Sequence, residues 1–348
     1  MAIQAPRAVV RRIRLSTCLP LALTSVAAAA CAGFVAAQES DETRRIGYRE
    51  TVAVQWVGVP VELPPLVAQE QLPAEAFALT VDGRPVPIHD FEGPARELAL
   101  IVLQDLSGSM GLGSKIDQSR AIFEALLAQL GEQDEVSVVG FSERTTEVRV
   151  PLAVPDRRHH DDPGAWSGWG KTAVLDALMH APRLARESRR ARTGIVLITD
   201  GDDNASLVQE EQLAAVLQAS AVPIYLFDLS RPRASLLDEP ESGAAPAPET
   251  VADIDTLVEL ARATGGATYR LGAHLDPATA ARSLVRRLAN QYWITFPADS
   301  QTPTTAHSIR VALRPDHAPR RVRRALAAGG GDLRHRSHYL GGEPLIEP

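Results

Sequence analysis

The chain has 348 residues, of which 45% are hydrophobic and 23% charged, a balance that fits a folded globular protein and excludes wholesale disorder. That length holds one large core plus a smaller one, since single cores rarely grow beyond roughly 250–300 residues. The formal net charge of −7 argues against nucleic acid as the main partner, because phosphate recognition needs a basic surface.

Residues 1–37 read as an export leader. Arg7, Arg11, Arg12 and Arg14 form a basic start with no acid, an apolar stretch runs from Leu19 to Ala30, and Val35-Ala36-Ala37 meets the small-residue rule for cleavage before Gln38. This predicts a secreted or periplasmic protein. Two alternatives put it on a membrane instead. One is an uncleaved leader serving as an anchor, although Thr17, Pro20 and Ser25 shorten its apolar core. The other is a lipidated Cys31, which Ala28 three places earlier suits poorly, and the Arg11-Arg12 pair lacks the rest of a twin-arginine signal. Both cysteines, Cys18 and Cys31, lie in the leader, so the body has neither thiol nor disulfide. Setting the four leader arginines aside takes the net charge from −7 to −11. No later apolar run is long enough to span a bilayer.

Residues 38–96 read as a β-rich region. Thr51–Val57 alternates around apolar positions, Phe77–Val81 enters a turn at Asp82-Gly83, and Arg84–Ile88 returns from it. Pro85 and Pro87 cannot donate to a ladder, so the returning strand belongs at an edge.

A different pattern covers 97–272. Leu98–Leu103 is continuously apolar, as a parallel strand covered on both faces should be. Lys115–Leu130 then carries a helical stripe at Ile116, Phe123, Leu126, Leu127 and Leu130, with Ser114 placed to cap its start and Gly131 its end. Further strands are expected at 136–141, 195–199 and 224–227, and helices at 172–190, 208–219 and 254–264. Pro182 should kink or split the first of those helices. Such alternation predicts an α/β fold, an open and mostly parallel Rossmann-like sheet with helices on both faces. Arg231–Glu249, rich in Pro, Ala, Glu and Ser, reads as an exposed loop. In 273–314 a helix near Pro277–Leu288 precedes two strands, Gln291–Phe296 and His307–Leu313. These read as a hairpin that pairs with the N-terminal β region. Residues 315–348 read as a loosely held basic, Gly-rich tail.

Three segments carry the chemistry. Asp105-Leu106-Ser107-Gly108-Ser109-Met110 follows the first buried strand. Gly170-Lys171-Thr172-Ala173 opens a helix. Thr199-Asp200-Gly201-Asp202-Asp203-Asn204 follows another buried strand. Residues beyond the carboxyl ends of strands in an open α/β sheet share one crevice, so the three should meet in space. Their donors are all oxygens, as hard divalent cations prefer. Two carboxylates and three hydroxyls leave such an ion open to one more ligand, and that is a binding chemistry without nucleophile or general base.

Asp105-x-Ser107-x-Ser109, Thr172 and Asp200 together resemble the metal-ion-dependent adhesion site of von Willebrand factor A domains, and the resemblance covers roughly residues 97 to 272. The flanks, at Phe77–Ile88, Thr264-Gly265-Gly266 and Gln291-Tyr292, resemble exported bacterial proteins with a domain of this kind, found in acidobacteria. The resemblance implies Mg²⁺, or Mn²⁺ or Ca²⁺, held by Asp105, Ser107, Ser109, Thr172 and Asp200. It implies a direct or water-mediated contact at Thr172 that changes with state, and a water-bridged role for Asp200. The implied partner is a protein that offers a carboxylate to the metal, with no nucleic acid and no enzyme activity. Lys171 stands where such domains often have glycine, a departure that would weaken metal binding or favour an anionic partner.

These residues admit other readings. A metal-independent envelope scaffold is the main alternative. A Mg²⁺-dependent phosphatase resembling haloacid dehalogenases needs a general acid two residues after the nucleophile, and that place is Ser107. A phosphate-binding loop ending in Gly170-Lys171-Thr172 needs glycine at position 165, which is alanine. Trp166 and Trp169 either line the partner-binding rim together with Lys171 or lie buried under the loop. His159-His160-Asp161-Asp162 reads as a solvated loop rather than a second metal site. The arginines from Arg183 to Arg192 read as the exposed end of a helix. Arg320–Arg324 and Arg334–His338 read as a solvated tail, with association to a membrane surface as the alternative.

Overall fold

The computed structural model describes residues 56–64, 67–68, 70–95, 97–143, 147–148, 152–153, 170–188, 190, 192–201, 203–230, 252–271, 275–298, 305–327 and 333–340. Residues 1–55, which include both cysteines and the expected leader, His159–Asp162, Trp166, Trp169, Asp202 and the expected loop at 231–249 lie outside them.

The N-terminal strands are β1 (Trp56–Glu62), β2 (Phe77–Val81), β3 (Arg84–Val86) and β4 (Asp90–Glu92). The central sheet is built from β5 (Leu98–Asp105), β6 (Glu135–Phe141), β7 (Glu147–Val148), β8 (Leu152–Ala153), β9 (Arg192–Thr199), β10 (Ile224–Asp228) and β11 (Ala267–Arg270). Its order is β11-β10-β9-β5-β6-β7, with β8 also on β6. The five strands from β11 to β6 run parallel, and β7 and β8 are antiparallel additions at the β6 edge.

Side-chain alternation on β5 explains why both faces need cover. Leu98, Leu100 and Val102 join one core with Ile122, Phe123 and Leu126 of α1 (Lys115–Leu127) and Leu284 and Leu288 of α5 (Pro277–Ala289). Ile101 and Leu103 join the other, with α2 (Val174–Glu187), α3 (Glu210–Ala219) and α4 (Ile254–Ala263). Each such side chain contributes roughly 1.5–3 kcal/mol on burial, so the continuous apolar run of β5 follows directly from its place at the centre. The crossover from β5 to β6 runs through α1 on one face, and that from β6 to β9 through α2 on the other. The topology therefore switches between β5 and β9, and the crevice of the sheet opens at their carboxyl ends.

Two four-stranded antiparallel sheets form a second core. One is ordered β14-β1-β12-β4 and the other β15-β13-β2-β3, where β12 is Tyr292–Pro297, β13 Ala306–Leu313, β14 Arg334–His335 and β15 His338–Leu340. Val59, Val61, Tyr292 and Ile294 of the first sheet meet Phe77, Leu79, Ile309, Val311 and Tyr339 of the second. The Phe77 and Tyr292 rings stand 5.1 Å apart. Asp82 and Gly83, with φ of 49 and 76, make the two-residue turn that pairs Val81 with Arg84, and β3 lies at the sheet edge.

Several expectations need correction. The strands at 291–296 and 307–313 do not form a hairpin. β12 pairs with β1 and β4, while β13 pairs with β2 and β15 in the other sheet. Their apolar residues face one another across the sandwich instead of along one ladder. The tail is not loosely held either. It forms α6 (Arg320–Ala327), β14 and β15, and Val322, Arg336 and Tyr339 are buried. The Arg336 guanidinium donates to the carbonyls of Gly58, Ser220, His338 and Gln218. Arg192 is not on a helix end: it starts β9, is buried, donates to Glu92 Oε2 and to the Gly93 carbonyl at 2.7 Å each, and lies over the Trp293 ring. Pro182 sits inside an unbroken α2, buried on its packed face, where core contacts outweigh one missing backbone bond. Helix α1 ends at Leu127, before Gly131, whose N–H is taken by Asp134 Oδ2 at 2.7 Å. Ser114 does precede α1, but its hydroxyl makes no cap bond. The short strand β11 was not anticipated.

Candidate functional site

The last residue of β5 is Asp105, fully buried at the switch point. Its Oδ1 accepts the Ser107 N–H at 2.9 Å, which turns the chain sharply out of the strand. Its Oδ2 accepts the hydroxyl of Thr199, the last residue of neighbouring β9, at 2.5 Å. Thr199 Oγ1 in turn accepts the Gly201 N–H at 3.1 Å. Gly201 has φ +100, and a Cβ there would lie 2.7 Å from Ile254 Cδ1, so glycine is required both by conformation and by space.

From Asp105 a chain of oxygens runs across the crevice. The Ser107 and Ser109 hydroxyls lie 3.1 Å apart, and Ser109 Oγ donates to Asp200 Oδ1 at 3.0 Å. The second loop reaches the first through its backbone, where Gly170 O accepts the Gly108 N–H at 2.8 Å. Thr172, buried, gives its N–H to Asn204 Oδ1 at 2.9 Å, and its carbonyl accepts the N–H groups of Asn204 and Ala205. The structure thus joins Ser107, Ser109 and Asp200 through side chains, Asp105 through its carboxylate and the Ser107 N–H, and Thr172 through its backbone. Lys171 is on the exposed side of its loop.

Five residues without a role in the sequence reading hold this arrangement. Thr199 and Asn204 have just been placed. Asp203 is fully buried and accepts from the Leu175 N–H at 2.9 Å and the Ser206 hydroxyl at 2.6 Å. Ser206 Oγ also accepts the Asp176 N–H at 3.1 Å. Leu175 and Asp176 are in the first turn of α2, so the third loop caps the helix that the second loop opens. The fifth is Lys115, whose Nζ lies 2.6 Å from Asp200 Oδ2 and 3.5 Å from the Ser109 carbonyl. A lysine at the first position of a helix opposes the helix dipole, and that local mismatch was the signal available in the sequence.

Burial pushes the Asp105 carboxyl up to about 6, and the nearby Asp200 charge adds to the rise; hydrogen bonds from Ser107 and Thr199 oppose it. Cation binding would reverse that balance. The donors are two carboxylates and three hydroxyls at one end of one sheet, which suits a hard divalent ion. Asp200 already faces a cation in the ammonium of Lys115. Among the described residues no group of three or more His, Cys, Asp or Glu side chains could hold a metal, so a metal here would depend on the serine and threonine hydroxyls.

No curated protein matches the chain. Among solved structures, it is similar to an aerotolerance-related membrane protein from Bacteroides fragilis at 16% identity, covering 55% of this chain and 98% of that one with a TM-score of 0.42. A von Willebrand factor type A protein from Catenulispora acidiphila is similar at 12% identity, over 82% and 72% of the two chains, with a TM-score of 0.40. The ArnB paralog VWA2 from Sulfolobus acidocaldarius is similar at 12% identity, over 75% and 70%, with a TM-score of 0.40. Residues 100–202, from β5 into the loop that holds Asp200, match the family model for the von Willebrand factor type A domain, and the chain contains a domain of that family there.

Proposed function

We propose that this protein is an exported binding module that captures an acidic group of a partner protein through a divalent cation. The observation that carries the reading is the cluster of oxygens at Asp105, Ser107, Ser109 and Asp200, in which Asp105 accepts the Ser107 N–H and the two serine hydroxyls link on to Asp200, set at the switch point of a parallel sheet. Asp105, Ser107, Ser109, Thr172 and Asp200 would hold Mg²⁺, Mn²⁺ or Ca²⁺, and the bound ion would supply a Lewis-acidic position for a carboxylate ligand. Thr199, Asp203 and Asn204 keep the three loops in place whether or not an ion is bound. The cluster is one of oxygen donors suited to a hard cation, so the reading is of capture rather than turnover. Export rests on the basic and apolar leader at 1–37. Among the described residues no helix is long and apolar enough to cross a membrane.

The ion pair of Lys115 with Asp200 favours a second reading, a metal-independent scaffold whose site is closed by its own lysine. Calorimetric titration with Mg²⁺ and Mn²⁺ separates the two. Saturable binding that disappears in Asp105→Ala, together with EDTA-sensitive binding of a glutamate-bearing peptide, is the expected result. Absence of any metal binding by the intact protein would overturn the metal reading.

A further inference from the structure

We propose that Lys115 is the resident cation of the site, and that a divalent ion gains Asp200 only by displacing its ammonium. This inference rests on the metal-binding reading above and concerns how that site is filled.

Both oxygens of Asp200 are committed in the structure, Oδ1 to the Ser109 hydroxyl and Oδ2 to Lys115 Nζ. The pair is largely withdrawn from solvent, at 17% exposure for the lysine side chain and 4% for the aspartate. Little water is there to screen a second cation from the first. An ammonium and a dication sharing one carboxylate repel strongly at such separations, so occupancy by one opposes the other. The lysine also eases the repulsion between Asp105 and Asp200, which lets the metal-free loops keep their shape.

Composition points the same way by an independent route. Of 36 basic residues only two are lysines, Lys115 and Lys171, and the other 34 are arginines. Both lysines fall in the loops or helix starts of this one site. Elsewhere the chain uses arginine for its ion pairs, as at Arg192–Glu92, Arg270–Asp228 and Arg287–Glu62. An arginine at 115 would grip Asp200 with a planar two-pronged fork, whereas an ammonium is a compact point charge on a flexible stem and can swing away. A releasable cation calls for lysine.

The pair of lysines also makes the test clean. Calorimetry with Mg²⁺ is run on the full protein, on Lys115→Met and on Asp105→Ala, with circular dichroism melts to establish that each is folded. In parallel, reductive ¹³C-methylation labels two side chains besides the N-terminal amine, and Lys171→Arg and Lys115→Met assign their signals. The expected result is Mg²⁺ binding about tenfold tighter in Lys115→Met than in the unaltered protein, and a Lys115 methyl signal that moves on Mg²⁺ addition while that of Lys171 moves less. Binding seen only in Lys115→Met would overturn the metal reading for the unaltered protein and leave Lys115 as the cation that keeps the site closed. Equal or weaker binding in a folded Lys115→Met, with the unaltered protein binding and Asp105→Ala not, would overturn the role of Lys115 and leave the metal site standing. A Lys115 signal that stays put while calorimetry records binding would do the same. No binding by either the unaltered protein or Lys115→Met would overturn the metal site and the inference with it.

Discussion

Replacing Asp105 by asparagine should make the metal-free protein more stable while removing its response to Mg²⁺. Burial holds this carboxyl at about 6 against an ordinary 3.8, so the folded chain binds its proton more tightly than the unfolded chain does. The stability tied to that proton is complete below about pH 3.8 and is lost as pH rises to about 6. At pH 7.5 the ionised group then costs the folded state about 3 kcal/mol. Asparagine keeps an acceptor for the Ser107 N–H and has no charge to desolvate, though Thr199 must turn its hydroxyl proton elsewhere. Thermal unfolding in EDTA at pH 7.5 should show Asp105→Asn melting several degrees above the unaltered protein, and at pH 4.5 the gap should largely close. Added Mg²⁺ should raise the melting temperature of the unaltered protein only. If Asp105→Asn is destabilised equally at both pH values, Asp105 acts as a neutral hydrogen-bond acceptor and the electrostatic argument fails.

Two more outcomes follow from the sandwich. Arg336→Ala strips donors from buried carbonyls on three separate segments and leaves a cavity, and should cost about 2–4 kcal/mol in urea unfolding; Arg336→Lys should not restore it, because one ammonium cannot span the carbonyls of Gly58, Gln218 and Ser220. Hydrogen bonds from His307 and Ser308 hold the Asp82 carboxyl down to about 2, so its contribution is present above pH 3.8 and is lost as pH falls towards 2; Asp82→Asn, tolerated at φ 49, should lack that part of the acid sensitivity when circular dichroism follows unfolding between pH 5 and 2.

The central sheet was readable because its signals are local. Leu98–Leu103 announces a strand covered on both faces, and Asp105, Thr172 and Asp200 stand at element ends whatever the rest of the chain does. Asp105, Ser107, Ser109 and Asp200 then meet because the topology switches between β5 and β9. What escaped the reading depends on partners distant in sequence. Lys115, apart from its unfavourable place at a helix start, looks like an ordinary exposed lysine until a loop 85 residues away supplies its carboxylate, whereas Lys171 stands out because it breaks a family pattern. Arg336 looks like a solvated tail residue, since nothing near it in sequence hints at the carbonyls that it caps. The strands β12 and β13 resemble a hairpin by proximity alone; only the N-terminal strands, more than 200 residues away, decide which sheet each one joins.

The sandwich has a bearing on how the chain comes into being. Val61 pairs with Tyr292 and Phe77 with Leu313, and β1 is bordered on its other side by β14 at 334–335. Every element of the central sheet and its covering helices lies between 98 and 289, so that body can assemble as it is synthesised. Strands β1 and β2 cannot, because the partners that cover them are made only after that body, and long loops must close before those pairings repay their entropy. Until then β1 and β2 present open apolar edges, the surface on which chains stick to one another. The segments that follow the central body are therefore what seal the sandwich, and a chain cut short before them would carry the Asp105 and Asp200 loops on a body that still has a raw flank.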